Sequence, residues 1–223
     1  MSDITLPNRR AFMLGAASLA GLSLSGCATM GSRVAEAPPE PQFSQYYLDM
    51  YAAMPYERFP IPAVDLRRLK TTHFRQEVAD PTGELPGTIV VHTSERFLYL
   101  VQEGGRAIRY GVGIGRDGFT WSGRAEIARK AEWPVWTPPR EMIQRLPELE
   151  EYRNGQPPSL TNPLGARAMY IYQNGRDTIY RIHGTGEYWT IGEAVSSGCV
   201  RLIHQDVIDL YNRVPVGTKI LVM

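Results

Sequence analysis

The sequence predicts a mostly β domain, barrel- or sandwich-like, with short helical insertions. Three observations carry that expectation. Short runs rich in β-branched and aromatic residues recur from Pro86 to the end of the chain, as in folds built of many short strands. The 17 prolines and 21 glycines among 223 residues supply turns at a density that suits strands and loops better than a helical bundle. Beyond Pro86 only two brief segments have a helical pattern. The length suits one domain with appendages.

The appendages come first. "PNRRAFMLGAASLAGLSLSGC" sets Arg9 and Arg10 before an apolar run of about 16 residues ending at Gly26, shorter than the roughly 20 that span a bilayer. Residues 1–26 therefore read as a signal peptide. The paired arginines ahead of "AFM" resemble a twin-arginine export signal. "LSGC" resembles a lipobox, which makes Cys27 the lipidated residue of a membrane-anchored periplasmic lipoprotein. Ala28 is not an aspartate, which favours the outer membrane.

Residues 27–85 read as a tether and a lead-in that packs on the domain. "ATMGSRVAEAPPEPQ" has no period and suits a semi-extended tether. "FSQYYLDMYAAM" suits a short helix ended by Pro55, and "PYERFPIPAVDLRRLK" has too many prolines for a regular element.

Residues 86–223 carry the domain. "GTIVVHTSERFLYLV" holds two strands, Thr88–His92 and Phe97–Val101, around a polar turn. "QEGG" then breaks the chain before a third strand in "RAIRYGVGIG". "EIARKAEWPVWTPP" adds a short strand and an aromatic, proline-rich loop. "REMIQRLPELEEYRNG" is the better helical candidate, limited or kinked by Pro147. "ARAMYIYQ" and "DTIYRIHG" are strands again. "HQDVIDLYNRV" is an amphipathic helix with Val207, Leu210 and Val214 on one face, and "VGTKILVM" closes as a strand.

The formal net charge of +1 and the absence of a Lys/Arg-rich run give no sign of a nucleic-acid partner. "GVGIGR" lacks the third glycine of a dinucleotide-binding turn and reads instead as a strand meeting a glycine-rich corner. No cofactor is expected, and the expected assembly state is a monomer.

The chemistry concentrates in "RIHGTGEYWTIGEAVSSGCVRL". His183 ends a strand, and Cys199 follows sixteen positions later inside a small-residue turn. A lipidated Cys27 could not pair with Cys199, which leaves a lone thiol in an oxidising compartment. A cysteine nucleophile needs a base and oxyanion donors. His183 would be the base, and the main-chain N–H groups of Gly198 and Cys199 the donors. Arg201 shares the face of Cys199 if the backbone is extended. There it could lower the thiol pKa or hold a substrate carboxylate. The Gly184 carbonyl could orient the imidazole. Zinc is the competing use, with His183, Cys199, His204 and either His92 or His73 as ligands. No CxxC, HxH or HExxH spacing supports it.

"HGTGEYWTIGEAVSSGCVRL" resembles the signature of the bacterial L,D-transpeptidase catalytic domain family. "GTIVVHTSERFLYLV", "YGVGIGRDGFTWSG", "WPVWTPP" and "NPLGARAMYIY" resemble the family's other segments in the same order. The resemblance implies a mostly β catalytic domain over 86–223, with Cys199 as nucleophile and His183 as proton donor and acceptor. It implies peptidoglycan tetrapeptide stems as partners, D-alanine release through a thioester, no metal and inhibition by carbapenems. Tyr188, Trp189, Ser196 and Ser197 are the expected substrate-binding residues. Ser197 stands where many relatives have histidine, and His204 where relatives often have asparagine. Hydrolysis at the same site (an L,D-carboxypeptidase or endopeptidase), or a non-catalytic wall-binding lipoprotein, are the alternatives.

Overall fold

A nine-stranded mixed sheet organises the chain. The computed structural model describes residues 42–115, 121–196 and 198–223. The expected signal peptide, the tether with Cys27, and Ser197 lie outside the described residues. In chain order the strands are β1 (Gln76–Ala79), β2 (Ile89–His92), β3 (Phe97–Gln102), β4 (Arg106–Gly111), β5 (Ile114–Gly115), β6 (Gly123–Glu132), β7 (Arg167–Gln173), β8 (Arg176–Thr185), β9 (Ala194–Ser196), β10 (Val200–Ile203) and β11 (Lys219–Val222). The main sheet runs β1-β4-β3-β2-β11-β6-β7-β8-β10, and β5 pairs with β9 in a second, two-stranded sheet. Among the described residues three α-helices accompany them, α1 (Gln45–Met50), α2 (Arg140–Arg145) and α3 (His204–Arg213).

Alternation sets the two faces of the central strands. Ile89, Val91, Leu98 and Leu100 point into the main core with Ile127, Met169, Ile171, Ile182 and Leu202. Their sequence neighbours Val90, Tyr99 and Val101 form a smaller cluster of their own. Helix α3 covers the end of the sheet that carries β7, β8 and β10. Val207, Leu210 and Val214, the expected inward face, are all buried. The Lys130 ammonium donates to the Tyr211 and Val214 carbonyls at 2.6 Å, which supplies partners that a helix C-terminus otherwise lacks.

Three strands go beyond the expectation. β1 comes from the lead-in and pairs antiparallel with β4, so the sheet begins ahead of Pro86. β9 and β10 flank the cysteine turn. Helix α2 stops before Pro147, and Pro147–Tyr152 continues as a 3₁₀ turn. Proline has no N–H to give and restricts the residue before it, which ends the α-helical ladder.

The lead-in is fastened to α3. Gln205 Nε2 donates to the carbonyls of Ala52 and Pro62, both at 3.1 Å. Tyr51 donates to Asp206 at 3.2 Å and accepts the Arg75 main-chain N–H at 2.7 Å. Burial raises Asp206 to about 7, against the pull of Arg75 and Tyr51.

Candidate active site

The parallel pairing of β10 with β8 brings the two candidate residues, His183 and Cys199, to one cavity. Val200 lies opposite Ile182 and Arg201 opposite His183. Cys199 therefore enters β10 beside the end of β8, where His183 sits. Both line one cavity of about 990 Å³. Gly198, just before the thiol, has φ +127, a conformation that side chains rarely adopt. That backbone turn is what the small-residue stretch supplies.

His183 is buried, and its Nδ1 lies 2.8 Å from the Gly184 carbonyl oxygen. A carbonyl only accepts, so in the neutral ring the proton sits on Nδ1 and the Nε2 lone pair is left for chemistry. Burial holds the imidazole down to about 4, only partly opposed by the Gly184 bond. Cys199 keeps partial exposure. Burial pushes its thiol up, while the Arg181 main-chain N–H and the Arg181 and Arg201 guanidinium groups pull it back. At neutral pH the resting pair is thus a thiol beside a neutral imidazole, not a thiolate–imidazolium pair.

Gly184 is a packing requirement as well as an acceptor. A β-carbon there would lie 2.7 Å from His204 Nδ1, and one on Gly165 would lie 2.8 Å from the Gly184 carbonyl. His204, at the start of α3, accepts the Ala166 N–H at 3.4 Å and tilts against Trp133. It therefore supports the floor beneath the Gly184 carbonyl. Among the described residues no group of three His, Cys, Asp or Glu side chains could hold a metal ion.

Arg201 is 8% exposed and already engaged. It reaches Glu187 at 3.2 Å and the Thr190 hydroxyl at 3.0 Å. Tyr188 and Trp189 line the cavity, with Trp189 exposed and the Arg68 guanidinium 4.2 Å from its ring centre. Ser196 belongs to β9.

Sequence reasoning missed most of the walls. Ile61, Pro62 and Val64 of the lead-in line one part, and Met142, Leu146 and Leu149 of the α2 segment another. Asn162 anchors the loop between α2 and β7. Its amide donates to the carbonyls of Pro134, Gln156 and Pro157, and its oxygen accepts the Leu164 N–H. The "NP" dipeptide before Gly165 was the available signal.

The titrations predict a pH dependence of stability. Burial holds both His183 and His204 at about 4, so each gains a proton on unfolding between that pH and the ordinary histidine value of about 6.5. Stability rises with pH across that window. Asp206, raised to about 7 by burial, instead loses its proton on unfolding above about pH 4 and opposes the trend. Burial lowers His73 as well, which adds to the rise. A histidine that gains a whole proton on unfolding contributes about 1.4 kcal/mol per pH unit, so in His204→Asn urea unfolding between pH 4.5 and 6 should give a profile shallower than the wild type's by about that amount. A slope as steep as the wild type's would exclude His204 as a source.

Residues 86–222 match the model of the YkuD family, described as the L,D-transpeptidase catalytic domain. The probable L,D-transpeptidase YbiS of Escherichia coli is 38% identical over 144 residues, which cover 59% of this chain and 43% of that protein. The putative L,D-transpeptidase YqjB of Bacillus subtilis is 33% identical over 148 residues, 64% of this chain and 76% of its own length. The chain thus spans less than half the length of YbiS. A crystal structure from Brucella melitensis, titled a probable carnitine operon oxidoreductase, aligns with TM-score 0.50 and 45% identity, over 71% of this chain and 99% of that one. Gly111 ends β4, where a β-carbon would lie 2.5 Å from the His73 carbonyl oxygen. It is a close-packing glycine.

Proposed function

The chain belongs to the YkuD family of L,D-transpeptidase catalytic domains, and from that premise we propose that it is a cysteine acyltransferase of peptidoglycan stem peptides. The observation that carries this reading is the shared cavity of His183 and Cys199, with the imidazole tautomer set by the Gly184 carbonyl. His183 Nε2 takes the thiol proton as sulfur attacks the carbonyl of the bond between diaminopimelate and the terminal D-alanine. Main-chain N–H groups of Gly198 and Cys199 stabilise the oxyanion. The C–N bond breaks, D-alanine leaves with the proton from His183, and a thioester remains on Cys199. An incoming amine attacks the thioester and returns the thiol. Cys27 is the proposed lipid attachment point, which would hold the site within reach of the wall.

Trp189 and Tyr188 at the mouth and the apolar walls suit a peptide's main chain and aliphatic side chains. Arg201 stands with Glu187 and Thr190, so its part is to tune the thiol and brace the β10 edge more than to capture a carboxylate. The test is incubation of the pure protein with a disaccharide-tetrapeptide and mass analysis of the products. Crosslinked dimers with free D-alanine are expected. Tripeptide alone would replace this reading with hydrolysis. Neither product, together with no imipenem adduct, would leave a wall-binding protein. Cys199→Ala serves as the blank in each case.

A further inference from the structure

Strand β8 does not run smoothly toward His183. Between two paired positions β7 advances two residues, from Tyr172 to Tyr170, while β8 advances four, from Asp177 to Arg181. The surplus is taken up at Thr178, Ile179 and Tyr180, a bulge that β8 carries two residues ahead of its active-site end. Ile179 has φ +62, and a β-branched residue in that region is strained. Its side chain is 73% exposed, so burial of the isoleucine does not compensate.

Local side chains hold the irregularity. The Ile179 N–H donates to Asp177 Oδ1 at 2.8 Å. The Thr178 hydroxyl donates to the Ile171 carbonyl at 2.7 Å and accepts the Tyr180 N–H at 3.3 Å. One hydroxyl thereby replaces the ladder bonds that the bulge interrupts. Asp177 also grips the Arg181 guanidinium at 2.6 and 2.8 Å. On the far side of β8, the register of Val200 with Ile182 carries Cys199 back toward Arg181, and the Arg181 main-chain N–H acts as a donor that pulls the thiol down. Tyr180, the last residue of the bulge, lies under Gly198, where a β-carbon would meet its ring at 3.5 Å.

We propose that the 178–180 bulge is a positioning device that sets the Arg181 main-chain N–H on the Cys199 sulfur, with Thr178 as the residue that holds it. Bulges beside reactive groups commonly re-aim the chain in this way. The strain at Ile179 is the cost of bringing a donor to the nucleophile from a strand that otherwise pairs with β7. The charged groups that act on the sulfur are Arg181 on β8 and Arg201 on β10, the last paired with Glu187, while His183 on β8 is neutral above about pH 4. Thr178 carries no charge, so its replacement changes the aim of the N–H without altering that field.

The inference rests on Cys199 being the nucleophile, but its test reads the thiol without any substrate. Alkylation of Cys199 by iodoacetamide is followed against pH in the full chain, with modification scored on the peptide that contains it. Thr178→Val should raise the midpoint by about one pH unit and slow alkylation at pH 7 about tenfold, the effect of losing one hydrogen bond to a charged group. Thr178→Ser, which keeps the hydroxyl, should restore the rate to within about twofold. Ile179→Gly, which accepts the same φ without strain, should keep the wild-type midpoint and unfold at the same or a higher temperature. An unmoved midpoint in Thr178→Val, or a serine variant as damaged as the valine one, overturns the proposal. Should the valine variant not fold, amide exchange by NMR decides. The Arg181 N–H should exchange at least tenfold faster in Cys199→Ala than in the wild type while that of Ile182 stays slow, and equal Arg181 rates would overturn the assignment.

Discussion

Exchanging His183 for glutamine should slow acylation of Cys199 by imipenem roughly 100- to 10,000-fold while the protein stays folded. The expectation follows from the resting protonation state. Burial raises the Cys199 thiol, so little thiolate exists at pH 7, and attack must be coupled to proton removal. His183 is held at about 4 by the same burial and is therefore present as the free base through the whole neutral range. Glutamine can still donate to the Gly184 carbonyl but cannot accept and return a proton. The pH profile separates a base from a merely structural residue. Wild-type acylation should persist as pH falls from 7 to 5, because the imidazole does not protonate at its ordinary value. The variant should depend on pre-formed thiolate alone, and its rate should climb about tenfold per pH unit between 6 and 8. Stopped-flow acylation with matched circular dichroism spectra checks both. Equal rates, or parallel pH profiles, would remove His183 from the chemistry.

Strands β2 and β3 were legible because their β-branched and aromatic runs, buried on both faces, are bounded by polar turn residues. β10 was not, since its four residues include Arg201 and run directly into α3 with no turn between. β1 hid in a polar stretch with alternating exposure at the sheet edge. Helix α3 followed its apolar face, yet its first turn buries His204, Gln205 and Asp206 as well. Polar side chains are expected outside, and only the three-dimensional partners, Ala166, Ala52, Pro62 and Tyr51, account for their burial. His183 and Cys199 could be singled out as candidates because chemistry restricts which residue types can serve, and the fold sets both on one cavity. The cavity walls could not be, because Ile61, Met142 and Leu146 are ordinary apolar residues brought in from distant segments. The φ of Ile179 contradicts its own propensity, and local conflict of that kind is expected where a site imposes the backbone.

Removing the Glu57 carboxylate should destabilise the protein by roughly 3–5 kcal/mol, the usual cost of breaking a buried ion pair from one side. Glu57 stands in the lead-in, with its side chain 16% exposed, and meets the 7% exposed Arg167 of β7 at 2.8 Å. It also accepts a second guanidinium N–H at 3.0 Å and the Trp133 indole N–H at 2.9 Å. Burial alone would raise its pKa, but the bonds from Arg167 and Trp133 outweigh that and hold it below the ordinary range. Glu57→Ala leaves Arg167 with the Ala166 carbonyl and the exposed Glu132 carboxylate at 3.7 Å, a poor replacement for two bonds in a low-dielectric setting. For a chain of this size the loss corresponds to a fall in Tm of about 6–20 °C. The double variant Glu57→Leu with Arg167→Met should recover most of it, because the desolvation cost of both ions disappears along with their attraction. A Tm within about 2 °C of wild type in Glu57→Ala would mean that the lead-in is held by the Tyr51, Gln205 and Asp206 contacts alone, with the ion pair contributing little.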